Sequence, residues 1–120
     1  MSKVKLIFLV FVLLACSFAI LFSRTYKYPD VLFNVSPVEF KDFTTIEIVV
    51  SEKTPIVLAA LDSKDNVCLV IYEGSLDSGS SIFTWDGTDS GGKRLPEGNY
   101  TLELRKTQSF TSIKRFVILK

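Results

Sequence analysis

The chain has 120 residues, with 14 Lys and Arg against 13 Asp and Glu, no histidine, and a formal net charge of +1. That length holds one domain, and so even a charge balance leaves no basic surface for neutralising nucleic-acid phosphates. The missing histidine excludes Ser-His-Asp and Cys-His catalysis and every imidazole metal ligand.

The first element is apolar. Leu6 to Phe22 carries no charge and only one polar side chain, Ser17, between Lys3 and Lys5 on one side and Arg24 and Lys27 on the other. As a helix it would reach roughly 25 Å, at the short end for a hydrocarbon core of about 30 Å. Three readings stay open: an uncleaved membrane anchor, a signal peptide cut after Ala19, and lipidation at Cys16. The Leu13-Leu14-Ala15-Cys16 stretch resembles a bacterial lipoprotein signal. The anchor is preferred, because cleavage after Ala19 would start the mature protein on Ile20-Leu21-Phe22, and apolar residues rather than a polar tether follow Cys16. Each reading makes residues 1–24 an anchor or signal and puts the remainder outside the cytoplasm, in the periplasm or at the cell surface.

Residues 25–32, with Pro29, read as a short connection, and residues 33–120 as one domain. In the domain, apolar runs alternate with turn residues every eight to twelve positions, the rhythm of an all-β sandwich. Ile46, Ile48 and Val50 alternate with Thr45, Glu47 and Val49. Ile56 to Leu61 is a continuous run suited to burial on both sides. Ser63-Lys64-Asp65-Asn66 forms a turn, and Val67 to Tyr72 returns as the hairpin partner. Gly74 to Ser81 reads as a polar loop. Ile82 to Trp85 follows as a strand with Phe83 and Trp85 on one face. Tyr100, Leu102 and Leu104 oppose Thr101, Glu103 and Arg105 in a half-buried strand. Ser109 lies in the last turn, and Ile113 to Leu119 closes the domain. Cys68 reads as a small buried hydrophobe. Six to seven strands in two sheets are expected.

The densest signal runs from Trp85 to Tyr100. Asp86-Gly87 and Gly91-Gly92 supply positions where φ can be positive, Asp86 and Asp89 can accept backbone N–H bonds within the turn, and Pro96-Glu97-Gly98 makes a second turn. Tyr100, two residues beyond a glycine at a strand start, suits a tyrosine corner. With Ser36-Pro37-Val38-Glu39-Phe40, Thr45-Ile46-Glu47-Ile48, Leu61 to Asn66 and Leu95 to Tyr100, this stretch resembles the FlgD-type Ig-like domain of the flagellar hook-capping protein and of bacterial cell-surface proteins. It is also similar to the C-terminal sorting domains of type IX secretion. The resemblance covers about residues 33–120 and implies an Ig-like or fibronectin-III-like sandwich. Two departures stand out. Asn66 occupies the place of a usual glycine, and a membrane anchor replaces the N-terminal region that recruits the hook-capping protein to the flagellum.

No residue carries an expected catalytic, cofactor or metal role. The close pairs Asp86 with Asp89 and Asp62 with Asp65 read as turn formers, and Asp86-Gly87-Thr88-Asp89 lacks the acidic ladder and distal Glu of a calcium loop. The expected function is non-catalytic: an Ig-like module held at the membrane by residues 6–22, structural or binding another cell-envelope protein. No nucleic acid, small-molecule substrate or cofactor is expected. A small β-sandwich proteinase inhibitor, of a family with a similar Trp-Asp-Gly corner, is the alternative reading; a hook-assembly accessory is a third.

Overall fold

A computed structural model of the protein describes residues 31–120. The apolar run and both of its processing signals lie outside the described residues, among which no helix is long and apolar enough to cross a membrane. Among the described residues eight strands are formed: β1 (Val31–Ser36), β2 (Glu39–Phe40), β3 (Thr44–Val50), β4 (Thr54–Leu61), β5 (Val67–Leu76), β6 (Gly79–Trp85), β7 (Gly98–Lys106) and β8 (Thr111–Leu119). They build a three-stranded sheet ordered β1-β3-β6 and a five-stranded sheet ordered β2-β8-β7-β4-β5. The strand beyond the expected seven is β2. Its two residues are too few to show any periodicity, and they pair in parallel with Ile118 and Leu119 of β8.

Alternation sets the core. Thr44, Ile46, Ile48 and Val50 of β3 are buried while their neighbours are half-exposed, and they face Ile56, Leu58, Ala60, Leu102, Leu104, Val117 and Leu119 of the second sheet. On β4 only Pro55 and Val57 escape full burial, and the tail from Leu58 to Leu61 is buried on both faces. The same holds for β7, contrary to the half-buried expectation. Thr101 and Glu103 are only 6% and 9% exposed, because β7 is the middle strand of five and its outer face is hemmed in by both neighbours.

β5 departs from alternation. Register shifts fall opposite Leu58/Ala59 and Ala60/Leu61, each inserting one extra β5 residue, as β-bulges do. The outward residues therefore recur every third position, at Val67, Val70 and Glu73. Gly74 to Ser81 is not a loop. β5 continues through the buried Leu76 and β6 opens at Gly79, leaving only Asp77 and Ser78 to carry the chain between sheets. Serines at a sheet edge had the composition of a loop, while Gly79, at φ 113°, lets the backbone turn.

The sheets are joined by polar staples as well as by the core. Arg115 stands in the inward row of β8 with Ile113, Val117 and Leu119. Its Nε donates to the Phe33 carbonyl at 3.0 Å, and its guanidinium lies 5.8 Å from the Phe33 ring centroid. On the opposite flank, the Tyr72 and Phe83 rings meet at 5.0 Å.

Turns sort into two ends. Val31 pairs with Val50, Thr54 with Leu76, and Lys106 with Thr111, so the start of β1, the turn at 51–53, the crossover at 77–78 and the turn at 107–110 share one end. The turn at 62–66 and the long connection at 86–97 occupy the other.

Candidate interaction surface

The second end is built around Trp85. Its indole is 1% exposed and packs edge-on against Phe40 and Tyr100, with ring centroids 5.6 Å away in both cases. Burial obliges the indole N–H to find an acceptor, and it donates to the Thr88 carbonyl at 3.0 Å. The Tyr100 hydroxyl donates to the Pro96 carbonyl at 2.6 Å, the tyrosine corner expected from the glycine two residues upstream. Burial raises the Tyr100 phenol pKa, so the hydroxyl stays a donor.

The connection after Trp85 folds back on itself. Leu95 N donates to Gly87 O, Thr88 bridges to Arg94, and Asp89 N donates to Lys93 O, a miniature hairpin with Ser90 to Gly92 at its tip. Gly87 has φ 79°, and a Cβ there would stand 2.8 Å from a Leu119 methyl. Ser90 N donates to the Cys68 carbonyl, which ties the hairpin to β5. Arg94, which the sequence reading passed over, locks the whole end: its guanidinium donates to the carbonyls of Asp86, Lys41 and Lys120.

The aspartates are occupied by these turns. Asp86 Oδ1 accepts from the Thr88 hydroxyl at 2.6 Å, and Asp89 Oδ1 from the amides of Gly91 and Lys93 at 2.9 and 3.0 Å. Asp62 Oδ1 accepts from the amides of Lys64 and Asn66 at 2.8 and 2.9 Å. The Asn66 amide, and then that of Lys64 and the Asn66 side chain, hold the Asp62 carboxyl below its ordinary 3.8. Asp65 adopts φ 63°, so the left-handed turn position falls on an aspartate rather than on Asn66, and the turn closes without the usual glycine. No group of three or more potential metal-ligating side chains occurs among the described residues. Cys68 is half-buried rather than buried, and its thiol is free. Desolvation, and then the nearby charges of Asp62 and Asp89, push its pKa up, which keeps it a poor nucleophile at neutral pH.

Beside this end, on the outer face of the second sheet, lies a groove of about 620 Å³. Thr101 forms its floor, Phe116, Ile118 and Val38 its apolar wall, and Ser63, Asp65, Asn99 and Lys114 its polar margin. Phe116 is 74% exposed, and Val38 and Ile118 are exposed beside it. The groove was not singled out in the sequence. Its signal was parity alone: once Val117 and Leu119 face inward, Phe116 and Ile118 must face out.

A family profile described as the FlgD Ig-like domain matches residues 41–109, more than half of the chain. No curated protein matches. Among solved structures, FlgD from P. aeruginosa is similar over 75% of this chain and 65% of its own, with 24% identity and a TM-score of 0.51. A truncated FlgD from Helicobacter pylori is similar over the same shares, with 19% identity and a TM-score of 0.46. PorZ, an essential bacterial surface component of the type-IX secretion system of Porphyromonas gingivalis, is similar over 73% of this chain and 11% of its own, with 16% identity and a TM-score of 0.49. This chain thus spans less than two thirds of each of these structures.

Three measurements probe this end. Trp85→Ala should remove about 3–5 kcal/mol from a domain whose total is about 5–13 kcal/mol, read as a collapse of the thermal or denaturant transition. Tyr100→Phe should cost about 0.5–1.5 kcal/mol by loss of the corner bond, with no change in the strand register seen by amide exchange. The depressed Asp62 pKa means that its contribution to stability is present above 3.8 and is lost as pH falls below that value. Asp62→Asn should therefore flatten the acid limb of the melting-temperature profile, and an unchanged acid limb would remove Asp62 as its cause.

Proposed function

Because the chain belongs to the FlgD Ig-like domain family, we propose that it is a non-catalytic Ig-like module, held at the outer side of a membrane by residues 6–22, that binds another cell-envelope protein. The groove walled by Phe116, Ile118 and Val38 carries this reading. Apolar side chains in a concave, polar-rimmed site are the usual form of a recognition surface. The groove lies at the end opposite Val31, where β1 starts, so a module tethered through its N-terminal segment would present it away from the membrane. The rigid corner behind it, pinned by Arg94, holds the wall in place without partner-induced ordering, which lowers the entropic cost of binding.

Family membership also supports a second reading, an accessory of flagellar hook assembly. The two readings part in cell fractions: the first puts the chain throughout the envelope, the second enriches it with purified hooks. Photocrosslinking of the intact chain in its native membrane tests the groove. Phe116→Ser should abolish the adduct formed from groove positions while leaving the melting temperature nearly unchanged, since an exposed substitution typically shifts stability by less than about 0.5 kcal/mol. An adduct that survives would remove the groove as the contact, and a domain protected from protease on the extracytoplasmic side would overturn the proposed orientation.

A further inference from the structure

The end of the sandwich that carries Val31 also carries the most exposed large hydrophobic side chain among the described residues. Phe110, the last residue of the β7–β8 turn, is 91% exposed and sits at φ 55°, a conformation uncommon for a bulky residue. Scattered exposed apolar residues are ordinary on any surface. Phe110 differs in its position. The turn is braced from behind, where Thr107 N donates to the Pro55 carbonyl and the Ser109 and Thr111 hydroxyls bond at 2.8 Å, so the ring projects from a fixed support.

The chain upstream fixes what that end faces. Eight residues separate Phe22, the last of the apolar run, from Val31, so the nine steps between them reach at most about 32 Å, comparable to the length of one nine-residue strand, about 30 Å. Such a tether keeps Val31 within that distance of the surface from which the apolar run emerges, and a domain that rests on this surface by its tethered end meets it with Phe110. We propose that Phe110 is a membrane-interface contact, its ring seated among lipid headgroups and upper acyl chains, so that the sandwich stands on the bilayer with its groove pointing outward. The inference rests on the membrane-anchored reading and adds an orientation to it. Aromatic rings favour this interfacial depth. Glu52 and Asp77 share the end with Lys53 and Lys106, which balances its charge and makes the contact apolar rather than electrostatic.

The full chain carrying Phe110→Trp, reconstituted into phosphatidylcholine vesicles with and without phosphatidylglycerol, tests this, with the wild-type chain supplying the background of buried Trp85. The introduced indole should emit to the blue of an aqueous indole, resist acrylamide, and be quenched by lipids brominated near the headgroup, equally in both vesicle types. Phe110→Asn, which tolerates the left-handed turn, should lose the bilayer's protection of amides 107–111 in hydrogen exchange. A chain that floats with vesicles but leaves the indole open to acrylamide overturns the contact and spares the anchor. A chain that does not float at all overturns both. An indole shielded from acrylamide yet untouched by brominated lipid means that protein covers Phe110, and quenching confined to phosphatidylglycerol vesicles means an electrostatic contact; either result refutes the proposal.

Discussion

The indole N–H of Trp85 has to be satisfied in a place that water does not reach, and much of the domain is arranged to satisfy it. The acceptor is a carbonyl three residues on, so the chain must reverse at once after β6. Gly87 makes that reversal and at the same time leaves room for Leu119. The reversed chain returns as a miniature hairpin, and the route back to the second sheet passes Pro96, whose carbonyl takes the Tyr100 hydroxyl. Phe40 closes the other side of the ring, which recruits the two-residue β2 to the edge of β8. One buried donor thus links the last strand of the first sheet, the first residues of β7 and the end of β8.

Two ends with different chemistry follow from that arrangement. The corner end is dense in backbone bonds and aromatic contacts and supports a groove; the other end holds short turns and the chain's connection to its N-terminal segment. Arg94 and Arg115 show how cations serve in such a small sandwich. Both spend their donors on backbone carbonyls, where a planar fork reaches several acceptors that a lysine could not.

Much of this was legible in the sequence, and the parts that were not have physical causes. β3 and the inward row of β7 could be read because each is an unbroken alternation against a single core, and the tyrosine corner because glycine and tyrosine keep a fixed spacing. The pairing of β5 with β4 was legible from the turn at 63–66, but its exposure pattern was not, since two bulges convert a period of two into a period of three. The serines from Ser75 to Ser81 resembled a loop because an edge strand needs few apolar residues. The Arg94 clamp leaves no pattern at all: its acceptors are backbone carbonyls far away in sequence, and carbonyls are the same at every residue. Thr101 and Glu103 took their burial from strand order, which no local window contains.

The four sheet edges are unequal. β2 offers only two residues, β5 is distorted by its bulges, and the Phe33 carbonyl of β1 is already taken by Arg115. β6 is bonded to β3 alone, runs seven residues without a bulge, and carries no charge or proline. Unprotected edges invite pairing with other chains, but growth into a fibre needs two such edges on each molecule. With a single open edge, self-pairing through β6 would be isologous and would close at two copies. Among the described residues, pairing through β6 alone would therefore stop at two copies instead of extending into a polymer.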